Sequence, residues 1–236
     1  ALVIRDGETA LRHLPNHALD PLVTRVEVNA KATLDADGNL SLDGNSRRFG
    51  TAAGNWREEY LRATQEDRRK SLSEYFGGGV LTHLDIEQFE FENLDSLNAS
   101  LDMHFRLKSY NQLDKVSNLW IMPLPLPLST PTQKAMFAAK RYNDLDADVL
   151  FELSPVRETV DFMLPEGRQL AEMPRDRRIS GRFGEYVLHF EKIPGGLRIY
   201  REVTFKQRFI NHKDFLEFKL FYLQMLDSDG VLLAFQ

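Results

Sequence analysis

From Val26 to Leu34 the apolar residues Val26, Val28, Ala30, Ala32 and Leu34 alternate with Glu27, Asn29, Lys31 and Thr33. A period of two puts successive side chains on opposite faces of a strand, so the segment predicts a strand with one face on a core and one in water. Asp35-Ala36-Asp37-Gly38-Asn39 then supplies residues that tolerate positive φ, and Leu40 and Leu42 resume the alternation. That is the pattern of a hairpin. At Asn55 the signal changes. Asn55 as N-cap with Glu58 three residues on, followed by Gly77-Gly78-Gly79, predicts one helix over Trp56–Phe76. Its apolar residues are sparse and its charges mixed, as for a helix lying across a sheet with a solvated outer face.

Thr82 to Phe91 reads as a strand whose apolar parity slips between Ile86 and Phe89, an offset that a β-bulge absorbs. Leu97 to Lys108 alternates without a break, placing Asn98, Ser100, Asp102, His104, Arg106 and Lys108 on the outer face. Residues 110–147 are the least regular. They contain the proline-interleaved run Leu119–Leu128 and a short helix signal at Gln133–Lys140, and their apolar content predicts a connector packed along the body.

Strand patterns return at Asp148–Leu153, Thr159–Leu164, Gln169–Met173, Arg178–Phe183 and Glu185–Glu191. Ile193-Pro194-Gly195-Gly196 joins the last of these to an alternating run through Ile210, with Leu197, Ile199, Val203, Phe205 and Phe209 on one side. Asn211 then reads as the cap of a helix from Phe215 to Leu226, apolar nearly all round and therefore expected to be deeply packed; Val231–Phe235 adds a last strand. The pattern predicts an α+β chain of mainly antiparallel strands, sandwich-like, with a helix in each half. Its segments are 1–20, 21–109 (hairpin, helix, strands), 110–147 (connector) and 148–236 (sandwich-like with a C-terminal helix). Two subdomains and one extended sandwich shared by both halves fit the pattern equally.

Composition narrows the chemistry. The 236 residues are 42% hydrophobic and 28% charged, as in a globular chain, and the net charge of −5 creates no field for a polyanion, which disfavours nucleic acid. With no cysteine there is no disulfide, thiolate metal site or cysteine nucleophile. The longest apolar run, Leu119–Leu128, carries Pro123, Pro125 and Pro127 and falls short of the about twenty residues of a membrane-spanning helix. The first residues lack the basic and long apolar regions of an intact signal peptide.

His13 and His17 are separated by Pro15, which prevents the one-face helical geometry of a metal site, and no metal or other cofactor is expected. His104 and His189 fall on polar strand faces. Glu87, Glu90, Glu92 and Asp102 could in principle supply an acid/base pair for glycoside hydrolysis, but acidic residues are abundant, no pair is singled out, and a solvated sheet face is the favoured reading. Gly77-Gly78-Gly79 closes a helix instead of opening one, so it is no phosphate loop. Trp56, Trp120, Tyr110 and Tyr142 are the candidate ligand-binding residues, since flat rings at element edges or in the connector can stack on sugars or peptide side chains.

Several local patterns carry a family resemblance: Ala1–Ile4, Leu11–Pro15, the Asp37–Leu40 turn, the arginine-rich helix, Leu164–Gly167, Met173-Pro174, Ser180–Tyr186 and the closing aromatic helix. Together they resemble the β-rich C-terminal domain of unknown function that follows the papain-like core of bacterial transglutaminase-like proteins, many from Bacteroidetes-type bacteria. In that family Cys, His and Asp of the core carry the chemistry, and the chain has no cysteine to match. The resemblance therefore implies a non-catalytic accessory domain, exported to the periplasm or cell surface of a Gram-negative bacterium, that partners the core of the same polypeptide. In it, residues 1–20 are the tail of that core or a linker. An independent carbohydrate- or peptide-binding module is the alternative expectation.

Overall fold

The structure is a computed structural model that describes residues 19–35, 37–77, 81, 83–128, 130–131, 133–149 and 153–236. In chain order the elements are β1 (Arg25–Leu34), β2 (Leu40–Phe49), α1 (Gly50–Tyr60), α2 (Gln65–Gly77), β3 (Leu84–Glu92), β4 (Leu101–Ser109), β5 (Asp114–Val116), β6 (Leu119–Pro123), β7 (Leu145–Asp146), β8 (Val156–Met163), β9 (Arg177–Ser180), β10 (Gly184–Ile193), β11 (Gly196–Phe205), β12 (Phe209–Ile210), α3 (Phe215–Asp229) and β13 (Leu232–Phe235). Eight strands form one open sheet in the order β3, β4, β2, β1, β8, β11, β10, β9; a three-stranded sheet runs β13, β6, β5, and β12 pairs with β7. The protein is thus α+β, built mostly of antiparallel strands with three short helices.

Strands from 21–109 make one half of the large sheet and strands from 148–236 the other. They meet at a parallel seam, from Val26↔Val156 to Thr33↔Met163, while every other pairing in the sheet is antiparallel. Alternation dictates which side is dry. On β1, Val26, Val28, Ala32 and Leu34 are buried; on β11, so are Leu197, Ile199, Val203 and Phe205. All join one core with α1, α2, α3 and the small sheet.

The region predicted as one helix is two. Gly50, at φ +57, turns the chain straight from β2 into α1, so Asn55 lies inside that helix and caps nothing. Thr64 is the cap that matters: its Oγ1 accepts from Asp67 N at 3.1 Å and donates to Asp67 Oδ2 at 2.7 Å, starting α2. Between the helices, Arg68 Nε donates to Tyr60 O at 3.0 Å, a carbonyl at the broken helix end that otherwise accepts only the longer 3.3 Å bond from Ala63 N. Arg48, at a core position of β2, holds both helices down. Its guanidinium lies 3.4 Å from the Trp56 ring centroid and donates to Tyr75 Oη at 2.7 Å, while Trp56 meets Tyr60 and Tyr75 edge to face at 5.1 Å.

Other departures have equally local causes. β4 starts at Leu101 and not Leu97, because the buried Arg57 donates to Asn93 O and Ala99 O and ties that turn to α1. The expected bulge in β3 falls between Ile86 and Gln88. Asp148–Leu153 is not a described strand: Ala147–Val149 is a 3₁₀ turn and 150–152 lie outside the described residues. Gln169–Met173 forms no full strand, but Leu170 bridges Phe235 and Gln169 exchanges backbone bonds with Gln236. The N-cap position of α3 is Asp214, which makes no side-chain cap bond; Asn211 instead accepts from Lys213 N at 2.9 Å in the turn before it. The helix is buried on one side only, leaving Leu216 58% and Leu220 62% exposed.

Phe218 lies on the buried side of α3, fully enclosed, with its ring 5.4 Å from that of Phe183. Phe218→Asp would place an unpaired carboxylate there, at a cost of about 4 kcal/mol or more. The expected outcome is a thermal midpoint lower by about 10 °C or more in a melt followed by circular dichroism. An unchanged melt would contradict the packing of this helix.

Candidate functional site

Side chains at the outward parity of β1, β2, β4, β8 and β11 build a broad polar face. These five contiguous strands, spaced by about 4.8 Å, make it roughly 20 Å wide. Its charges are matched between neighbours: Arg25 with Glu27, Arg47 with Asp102, Arg106 with Asp43, Arg157 with Glu202 and Arg198 with Asp161. The Arg198 fork grips Asp161 through two bonds of 2.7 and 2.9 Å and holds that carboxyl below the usual range. At the parallel seam the face dips into a shallow recess of about 470 Å³ bordered by Asn29, Lys31, Asp43, Thr159, Asp161 and Arg198. Exposed pairs like these add little stability; they set a pattern of alternating sign.

The predicted acids and histidines lie on this face but are divided among different partners. Asp102 accepts from Arg47 at 2.5 Å and from Ser100 at 2.8 Å, while Glu92 faces His104 at 3.4 Å. Glu90 borders a small recess with His104 and Arg106, and Glu87 stands at the bulge. His189 Nδ1 lies 2.6 Å from Asp176, and His212 Nδ1 lies 2.9 Å from Asp144. Each histidine partner lowers the pKa of its aspartate, in Asp144 first through the His212 backbone N–H. These pairs resemble the orienting half of a triad, yet among the described residues no hydroxyl is hydrogen-bonded to either ring. His13 and His17 lie outside the described residues.

The four candidate aromatics are not brought together. Trp56 is 5% exposed beneath Arg48 and serves the core, a correction to its placement at a surface edge. Tyr110 is half-buried beside Lys108, and Tyr142 stands 79% exposed with Lys140 4.9 Å from its ring. Trp120 retains a usable surface, half-buried on β6 with Lys115 at 5.4 Å and Arg168 at 5.0 Å from its centroid. Arg168 also lines a neighbouring groove of about 640 Å³ with Leu164, Met173 and Ile193.

The most concentrated polar chemistry is buried. Arg201 on β11 donates to both oxygens of Asp229 at 2.9 and 3.0 Å, to Glu158 at 3.0 Å, to Leu128 O at 2.6 Å and to Thr130 Oγ1 at 2.9 Å. Tyr186 Oη and Thr130 N donate to Asp229, and Leu128 N donates to Glu158 at 2.6 Å. Two carboxylates share one guanidinium in a dry site. Burial pushes the Glu158 carboxyl up to about 7, against the pull of Arg201 and Leu128 N–H. Burial works against the Arg201 charge, but Asp229 and Glu158 more than offset it and raise its pKa. The sequence did carry a signal: Glu158 and Arg201 occupy core parity in otherwise apolar alternations, a place charge takes only when paired.

A DUF3858 domain is found over residues 119–235, matching the family described as a domain of unknown function with solved structure. The match begins with β6 and ends with β13, and these strands pair through Trp120↔Phe235, so the ends of the matched region meet. No curated protein matches the chain.

The buried cluster makes a pH prediction. Glu158 has a folded pKa near 7, above its ordinary 4.5, so between those values the folded state keeps a proton that the unfolded chain releases. Its contribution is complete below about pH 4.5 and is lost as pH rises through 7, by up to about 3 kcal/mol. In urea titrations from pH 5 to 8, the wild type is expected to lose stability relative to Glu158→Gln as pH rises. A constant difference between the two would refute the assignment.

Proposed function

We propose that this chain is a non-catalytic accessory region of an exported bacterial transglutaminase-like or cysteine-peptidase-like protein, where it supports the core or presents substrate to it. The observation that carries the reading is the neutralised face. The arginines of this face are paired with carboxylates across a broad sheet, and the densest ionic cluster is sealed within the core, where it organises packing. Such a surface suits contact with another folded body. The family-like patterns and the absence of cysteine from the sequence agree with a role beside a nucleophile carried elsewhere in the polypeptide. In this reading the parent acts in the periplasm or at the cell surface.

The test is an amine-incorporation and peptidase assay of the chain alone with casein and a glutamine-donor peptide. No product above buffer is expected; turnover that copurifies with the chain would overturn the reading.

Trp120 supports a second reading, a carbohydrate- or peptide-binding module, because a half-exposed indole flanked by Lys115 and Arg168 beside a groove can stack on a ligand. The two tryptophans make this measurable, since Trp56 is enclosed and reports little on the surface. Iodide is expected to quench Trp120 emission selectively, and a saturable shift with a binding glycan or peptide should disappear in Trp120→Phe. A shift that persists in that variant would remove Trp120 from the site.

A further inference from the structure

The two edges of the large sheet differ in kind. β9 has β10 on one side only and ends the sheet. Gly181 N donates to Gly184 O across the turn that joins them, so this is a hydrogen-bonded pair of the ladder. Alternation along the ladder makes Ile179↔Tyr186 and Arg177↔Leu188 the next bonded pairs. The backbone groups of Arg178 and Ser180 therefore point outward from the sheet, away from β10.

Beside this edge lies an apolar strip. Ile179 and Arg177 face the α3 side, and together with Leu220 and Leu223 they border a groove of about 380 Å³. Leu216, Leu220 and Leu223 recur at helical spacing along the same side of α3, and the first two are largely exposed. The charge pattern also breaks here. Where the outward-facing arginines of β1, β2, β4, β8 and β11 each meet a carboxylate, no ion pair among the described residues involves Arg175, Arg177 or Arg178. The intervening Asp176 is taken by His189, and Arg178 acts only at longer range on Glu185. A charged edge alone would serve to keep strands apart. The groove also carries Asp227, which Arg177 and Arg178 outnumber, so an open edge, an excess of positive charge and an exposed apolar stripe coincide here.

We propose that the β9 edge and the adjoining side of α3 dock an extended acidic peptide strand, which adds to the sheet with apolar side chains on Ile179, Leu220 and Leu223 and carboxylates on Arg178. The complementary charge selects the partner: alternating apolar and acidic residues put one kind on each face of an added strand. The groove is independent of the parent protein's identity and goes beyond a supporting role.

The experiment is a fluorescence-anisotropy titration of the chain with a labelled peptide of alternating valine and glutamate, against one of alternating valine and lysine. Saturable binding of the glutamate peptide only is expected, with hydrogen-exchange protection gained at the Arg178 and Ser180 amides. Ser180→Pro removes an outward N–H without touching the β10 ladder and is expected to weaken binding by about tenfold. Leu220→Asp, at an exposed site, should do the same, and Arg177→Glu with Arg178→Glu should transfer the preference to the lysine peptide. Melting curves matching the wild type confirm that each variant is folded. No saturation at millimolar peptide, or affinity unchanged in Ser180→Pro and Leu220→Asp, would overturn the proposal and leave the arginines as edge guards.

Discussion

A guanidinium enclosed in the core is the constraint around which the second half of the molecule is arranged. Arg201 stands where β8, β10, β11, the end of α3 and the connector converge, and each supplies a group to it or to its carboxylates. Asp229 ends α3, where the helix macrodipole disfavours negative charge, so its carboxylate depends on Arg201, Tyr186 and Thr130 N–H. The helix, in turn, cannot be moved without stranding charge in an apolar interior.

The connector shows why that cluster is needed. Leu124–Pro127 is buried yet belongs to no strand, a placement that would ordinarily leave backbone groups without partners. Pro125 and Pro127 carry no N–H, which lowers the number of donors to satisfy. Just beyond them, Leu128 uses both its N–H and its carbonyl on the cluster, and Thr130 uses its N–H and hydroxyl. Prolines and buried ions together dock a segment that no ladder holds.

What could be read from the chain followed the range of the forces involved. Local alternation marked β1, β2, β4, β10 and β11, and the slip at Ile86 marked a bulge, because side-chain parity is a nearest-neighbour property. The break between α1 and α2 was hidden: Arg68 acts across it on Tyr60 O and Arg57 ties α1 to the distant turn between β3 and β4, while Asn55 offered a cap signal that Gly50 had already pre-empted. The seam of β1 with β8 was beyond local reading, since nothing within either strand names a parallel partner more than a hundred residues away. For the candidate sites, ring chemistry alone singled out Trp56, whose surface is spent on Arg48 and Tyr75, and passed over Arg201, whose charge at an apolar parity was the more informative anomaly.

The same physics separates the two sheet edges. β3 carries Asp85, Glu87, Glu90 and Glu92, and its bulge interrupts the regular spacing another strand would need. Arg69 from α2 donates to Ile86 O, occupying a backbone acceptor of that strand, and sits 5.5 Å from the Phe89 ring. Opposite charges on β3 and β9 would otherwise favour head-to-tail contact between copies of the chain, the heterologous kind that forms rings or open filaments. Bulge, arginine plug and carboxylates block one end of that arrangement. Among the described residues β9 has no bulge and no side chain bonded to its outward backbone groups, which is the condition that docking of an acidic strand at this edge requires.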